Sequence, residues 1–174
     1  VAEGASLNAA GVVDLIASIR QTSGMVDVMA GVASNFPNFV IVKQPTAEIL
    51  LHGSITAAQG PIHALASTLV NFDCAELLSY IPLSFAWGQA RTTLLVDGDA
   101  KLTSGAGTAL RTDSEVYISA VDKGSFPKAL LSLSSAVAIA ETETIVTDAA
   151  SITAGGDVLL DARSRMETEA ASIA

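Results

Sequence analysis

A few acidic residues in this 174-residue chain have the types and the spacing that hold cations. Asp97 and Asp99 flank a single glycine, and Asp157 follows a Gly-Gly pair. Calcium takes oxygen ligands, and glycine beside aspartate permits the sharp turn that gathers carboxylates and carbonyls around the ion. Calcium-binding repeats need this pattern in successive turns, and here it does not recur. The sequence therefore predicts no metal site and no cofactor, with Asp97, Asp99 and Asp157 as weak candidates for calcium.

Residues for catalysis are sparse. His52 and His63 are the only imidazoles, and both fall at polar positions of predicted strands. Asp157, Asp161 and Arg163 could share one face of a strand, but no further acids extend the set. Because polysaccharide cleavage needs carboxylates that converge on one groove, we predict that the chain is not an enzyme. The alternative is a carbohydrate-active enzyme, a polysaccharide lyase or hydrolase, which three or more converging acids would favour.

The single cysteine, Cys74, excludes an internal disulfide. No histidine or lysine is close to it in sequence to activate the thiol. We expect Cys74 to be a small apolar core residue.

The composition excludes several classes of partner. Half of the residues are hydrophobic, only 5% are aromatic, and the net charge is −9. Binding to nucleic acid or to anionic lipid needs clustered Lys and Arg, so neither is expected. No apolar run reaches the ~18–20 residues of a membrane span.

Four stretches of the chain resemble one another and must position all these residues. Their anchors are separated by 48, 47 and 50 residues and are Leu7, Ile55, Leu102 and Ile152. Self-similarity at a nearly fixed period is typical of stacked repeat proteins. Function is then expected on a long surface, without a deep pocket.

Apolar and polar residues alternate within each stretch, which predicts strands with one buried face. Helices over residues 12–20 and 129–140 are the alternative, but the Thr, Val and Ile content favours strands. Gly155-Gly156 interrupts the alternation and predicts a turn. The residues expected in buried stacks are Ile55, Ile62, Leu102, Ile152, Val158 and Leu160.

A period of about 48 residues is long for one coil of short strands, so we predict two coils of roughly 24 residues per repeat, each with strands of 4–6 residues. The predicted fold is an all-β solenoid of parallel strands. Residues 1–174 are expected to form a single solenoid segment, a fragment of a longer array.

The pattern Ala-x-Ile-Thr-Ala-Gly-Gly-Asp-Val-Leu-Leu-Asp-Ala at Ala150–Ala162 resembles the repeats of giant bacterial surface proteins, the filamentous-haemagglutinin-like adhesins. The resemblance implies a right-handed parallel β-helix that is secreted to the cell surface. It also implies a structural or adhesive role and possible contacts with surface glycans or with proteins of host or neighbouring cells.

Four apolar residues fall at the outward phase of strands whose inward phase is already apolar: Leu50, Leu95, Ile145 and Leu159. Such residues are expected either to form a partner surface or to be covered by the second coil. Unpaired strand edges at both ends are expected to favour end-to-end self-association into filaments.

Overall fold

The computed structural model describes residues 1–22, 28–29, 38–42, 45–73, 83–122 and 133–172, and in these ranges the chain forms strands and no helix. Both segments for which a helix was the alternative lie mainly in strands, Val13–Thr22 and Leu133–Val146. The prediction of an all-β fold with parallel sheets is confirmed.

The described strands are arranged in three sheets. Sheet A contains four short strands: β1 (Ser6–Ala9), β6 (Ser54–Ala57), β9 (Lys101–Ser104) and β12 (Ser151–Ala154). Sheet B contains β2 (Val13–Thr22), β7 (Ile62–Asp73), β10 (Thr108–Asp122) and β13 (Val158–Ser172). Sheet C contains β3 (Val28–Met29), β4 (Asn38–Val42), β5 (Thr46–Leu51), β8 (Leu83–Val96) and β11 (Leu133–Val146).

The chain visits the three sheets in a fixed order, from sheet A to sheet B to sheet C and back to sheet A. Within each sheet the described neighbours are parallel, except for the short antiparallel pair β3 and β4. Parallel strands require a crossover between neighbours, and here the other two sheets provide it.

Neighbouring strands of a sheet are one whole repeat apart in sequence. The four anchors pair in order in sheet A: Leu7, Ile55, Leu102 and Ile152. Separations between parallel partners run from 45 residues, for Thr46 and Arg91, to 50, for Lys101 and Ser151. Two coils of about 24 residues per repeat would pair residues half as far apart, so that prediction is wrong. Strands of up to 15 residues in sheet B take up the length assigned to a second coil.

The interior contains two apolar cores. The first core gathers side chains from all three sheets, with Ile55 and Leu102 from sheet A, Leu110 from sheet B and Leu94 from sheet C among them. The second core is formed by sheets B and C alone, and it contains Val70, Phe72, Ala86, Ala90, Val116, Ile118 and Ala120. Small residues on sheet C let sheet B approach closely; a Cβ added at Gly88 would lie 2.3 Å from the Ile118 side chain.

Buried hydroxyl groups separate the two cores. Thr68 and Ser114 occupy one register position of sheet B, and Thr92 faces them from sheet C. The Thr92 hydroxyl lies 3.0 Å from that of Thr68 and 2.6 Å from that of Ser114. Thr68 also donates to the carbonyl of Arg91, and Ser114 donates to the carbonyl of Glu141. Because buried polar groups need partners, this hydroxyl ladder holds sheets B and C in one relative position.

The predicted core is confirmed in the middle of the sheets and wrong at one edge. Ile55, Ile62 and Leu102 are at most 1% exposed. Ile152 is only partly buried, while Val158 and Leu160 are 49% and 52% exposed. Their inward phase is as predicted, since Leu160 pairs with the buried Leu110. They are exposed because β13 has a described neighbour on one side only.

The turn predicted at Gly155-Gly156 lies between β12 and β13, and glycine is required there by crowding. A Cβ at Gly155 would lie 2.4 Å from the carbonyl oxygen of Gly105, and one at Gly105 would lie 2.3 Å from that of Ala58. Neither glycine has a positive φ angle. The corners of successive repeats therefore stack backbone on backbone.

Replacing Thr92 by Val tests the hydroxyl ladder. The change keeps the shape of the side chain but leaves the hydroxyls of Thr68 and Ser114 without a shared partner. We expect the free energy of unfolding to fall by about 1–3 kcal/mol in urea denaturation. The control is Thr93→Val on the outer face of the same strand, which should change stability little. Equal effects of the two substitutions would contradict a stabilising ladder.

Candidate interaction surfaces

Three of the four predicted surface residues form one column on the outer face of sheet C. Leu50 pairs with Leu95, and Leu95 pairs with Ile145. We call these three residues the apolar column. The fourth, Leu159, lies on sheet B, where it pairs with Ala109. The structure therefore joins three of the predicted residues and separates the fourth, because residues at the outward phase of different strands can belong to different sheets.

The apolar column is accessible but narrow. Leu50 is 38% exposed, Ile145 is 41% exposed, and Leu95 is half-buried. Beside it runs a polar column in which Glu48 pairs with Thr93 and Thr93 pairs with Glu143. The alternative that a second coil covers these residues does not hold for Leu50 and Ile145. A strip one residue wide is smaller than the apolar patches that usually mark a partner site.

A charged cluster lies further along the same face of sheet C. Arg91 lies 3.8 Å from both Glu141 and Glu143, and Gln89 donates to Glu141 at 3.2 Å. All three charged side chains are about half exposed, so the ion pairs add little stability. The cluster gives the outer face of sheet C a polar surface next to the apolar column.

The free edge of sheet B presents a second surface. Val158, Leu160 and Met166 lie at inward register positions of β13 and are each about half exposed. The backbone groups on the outer side of β13 face no other described strand. Such an edge combines unpaired hydrogen-bonding groups with an apolar layer, which together favour addition of a further strand.

The candidate calcium ligands do not come together. Asp97 and Asp99 lie in the turn before β9, whereas Asp157 lies after β12, at the opposite end of sheet A. In the part of the chain that the structure describes, no three His, Cys, Asp or Glu side chains are grouped so that they could hold a metal ion.

Asp97 instead fastens a turn to the next repeat. The Thr147 hydroxyl and the Gly98 N–H each donate to the same Asp97 oxygen at 2.7 Å. The hydrogen bond from Thr147, then that from Gly98, lowers the pKa of Asp97 below its ordinary value of 3.8, with a smaller contribution from the charge of His52 and some opposition from burial. Both hydrogen bonds favour the ionised carboxylate.

The outer face of sheet B carries the predicted His63, Asp161 and Arg163. The Nδ1–H of His63 donates to Asp14 at 3.0 Å, and Arg163 pairs with Asp161 at 2.8 Å. Sequence reasoning missed the first pair, although Asp14 and His63 are 49 residues apart, which is one repeat. His52 lies in a different corner, beside Asp97. Cys74 lies outside the described residues.

Comparisons with known proteins produced no match: no family model, no curated protein and no solved structure matches the chain. The resemblance to haemagglutinin-like repeats therefore stays a prediction. In the described ranges no helix is both long enough and apolar enough to cross a membrane.

Replacing Asp97 by Asn tests the turn through its pH dependence. Since the folded-state pKa of Asp97 is lowered, its contribution to stability is present above the unfolded pKa of about 3.8 and is lost as the pH falls through the folded pKa. Thermal melts should show a weaker loss of stability on acidification in Asp97→Asn than in the parent.

The control is Asp99→Asn in the same turn, since no described group hydrogen-bonds to that carboxylate. It should keep the acid dependence of the parent. A parallel loss of stability on acidification in Asp97→Asn and in the parent would contradict the role given to the Asp97 hydrogen bonds.

Proposed function

We propose that the chain is a structural repeat segment, a right-handed parallel β-helix in which each repeat of about 48 residues forms one coil. The observation that carries the proposal is the pairing of every parallel strand with its equivalent one repeat later, as for β7 with β10 and β10 with β13. The fixed order of the three sheets and their shared first core also support it. The right hand is favoured because crossovers between parallel strands of one sheet nearly always have it.

The outer surface supports a structural role. Several of its charged groups are matched by neighbours of opposite sign, such as Asp161 with Arg163 and Arg91 with Glu141. Matched ion pairs of this kind cover a sheet with polar groups and leave the chemistry of each residue satisfied. An extracellular place on a bacterial surface and an adhesive use of the rod are part of the proposal and derive from the resemblance of the repeats.

Lengthening the chain by whole repeats tests the coil. Residues 54–100 run from the start of β6 to the residue before β9, so extra copies can be inserted after residue 100 in register. Each copy should lengthen the particle by about 4.8 Å and leave its cross-section unchanged, because neighbouring strands have that spacing. Small-angle X-ray scattering measures both dimensions. Growth in cross-section at constant length would rule out the rod.

Self-association end to end forms part of the same proposal. The free edge at β13 would receive the β2 edge of a second copy, continuing the columns that run through sheet B. Leu160→Lys places a charge in the apolar layer of that edge and should reduce association, which sedimentation velocity measures.

The matched control is Leu159→Lys, one residue away on the outer face of β13. It should leave association as in the parent. If Leu160→Lys sediments like the parent assembly, or if the parent is a monomer, association through this edge does not occur.

A further inference from the structure

A shallow groove crosses the outer face of sheet B where β2, β7 and β10 lie side by side. Ala109 pairs with His63 on one side and with Leu159 on the other. Because alanine is much shorter than these neighbours, it leaves a depression between them. The groove has a volume of about 270 Å³, and besides Ala109 it is lined chiefly by Asp14, Ile16, His63, Leu65 and Arg111.

One charge in this groove has no partner among the described residues. Asp14 accepts a hydrogen bond from His63 at 3.0 Å. Asp161, the register neighbour of Arg111, is bound at 2.8 Å by Arg163. No described carboxylate lies within ion-pair distance of the Arg111 guanidinium itself. The two acids nearest to Arg111 in the sheet are thus already engaged, and its donors can receive an anion.

Apolar side chains adjoin this cation. Ile16, Leu65 and Arg111 occupy one register position on three neighbouring strands. Ile16 is 72% exposed, the most exposed of the large hydrophobic residues in the described ranges, and Leu65 is half-buried beside it. A ligand lying along this row would meet a guanidinium at one end and two aliphatic side chains at the other.

We propose that this groove binds a small organic monocarboxylate with a compact apolar body. The carboxylate accepts hydrogen bonds from the Arg111 guanidinium, whose planar donors match its two oxygens. The apolar body lies over Leu65 and Ile16, and the His63 ring, held by Asp14, forms the opposite wall. The volume is slightly below that of pockets for drug-sized molecules, which favours a ligand of about one ring. The proposal needs only the pairing within sheet B and does not depend on a rod or on adhesion.

Saturation-transfer difference NMR with benzoate as the probe tests the site on the whole chain, and it tolerates large assemblies. Benzamide and acetate are the matched ligands, since benzamide lacks the charge and acetate lacks the apolar body. We expect saturable binding of benzoate in the millimolar range and at least about tenfold weaker binding of benzamide and of acetate.

Two substitutions locate the binding. Arg111→Gln removes the cation, and Ala109→Leu fills the depression while keeping Arg111 and His63. Each should weaken benzoate binding by about tenfold or more. The control is Arg20→Gln, which removes an exposed arginine of the same sheet outside the groove and should leave the affinity unchanged. Circular dichroism melts of all three variants confirm that they fold.

Three results would overturn the proposal. The first is no saturable signal from benzoate. The second is equal binding of benzoate and benzamide, which would mean that the charge is not recognised. The third is equal loss of binding in Arg20→Gln and Arg111→Gln, which would indicate attraction by surface charge alone.

Discussion

Backbone hydrogen bonds between parallel strands one repeat apart set the surroundings of nearly every described side chain. Each strand pair brings a residue beside its equivalent 45–50 positions later, so one inward or outward assignment holds for a whole column. In sheet A the inward column begins with Leu7 and continues through Ile55 and Leu102. A shift of one residue would turn each of these side chains to the other face. The repeated sequence and the parallel sheets are therefore one constraint seen at two levels.

This constraint explains how an interior with few large residues is filled. Where three sheets surround the first core, branched side chains such as Ile55 and Leu110 meet in the middle. Where sheets B and C face each other alone, the second core is thinner, and alanine and Gly88 leave room for Ile118. The hydroxyl ladder at Thr92 marks the change from one region to the other. Its hydrogen bonds to opposite strands fix the two long sheets in relative position.

The parts predictable from the sequence were those that depend on alternation. Strands, their inward phase and the corner at Gly155 follow from the spacing of apolar residues and glycines. The number of coils did not follow, because inward-facing Thr68, Thr92 and Ser114 interrupt the apolar pattern within long strands. Those strands therefore looked like short strands separated by turns. The exposure of Val158 and Leu160 depends on which strand lies at an edge, and alternation carries no information on that.

The surfaces show the same division. Leu50, Leu95 and Ile145 could be grouped because they share a phase and a repeat spacing, while Leu159 shares the phase but lies on another sheet. The contact between Asp14 and His63 was accessible through its 49-residue separation, once the repeat is known to place equivalents side by side. The groove at Ala109 was not accessible, since it depends on a short side chain between longer ones on three strands.

Disulfide formation between paired strands tests the central claim of one-repeat pairing most directly. In a variant with Cys74 replaced by Ala, cysteines at Thr56 and Thr103 would occupy paired positions of β6 and β9. Neighbouring strands are about 4.8 Å apart, within disulfide range, whereas a partner shifted by two residues, at Lys101, lies about 7–8 Å away. The account predicts an intramolecular disulfide for Thr56→Cys with Thr103→Cys and little for Thr56→Cys with Lys101→Cys, measured on non-reducing gels and by mass spectrometry. Preferential cross-linking of the shifted pair, or none in the paired positions, would contradict it.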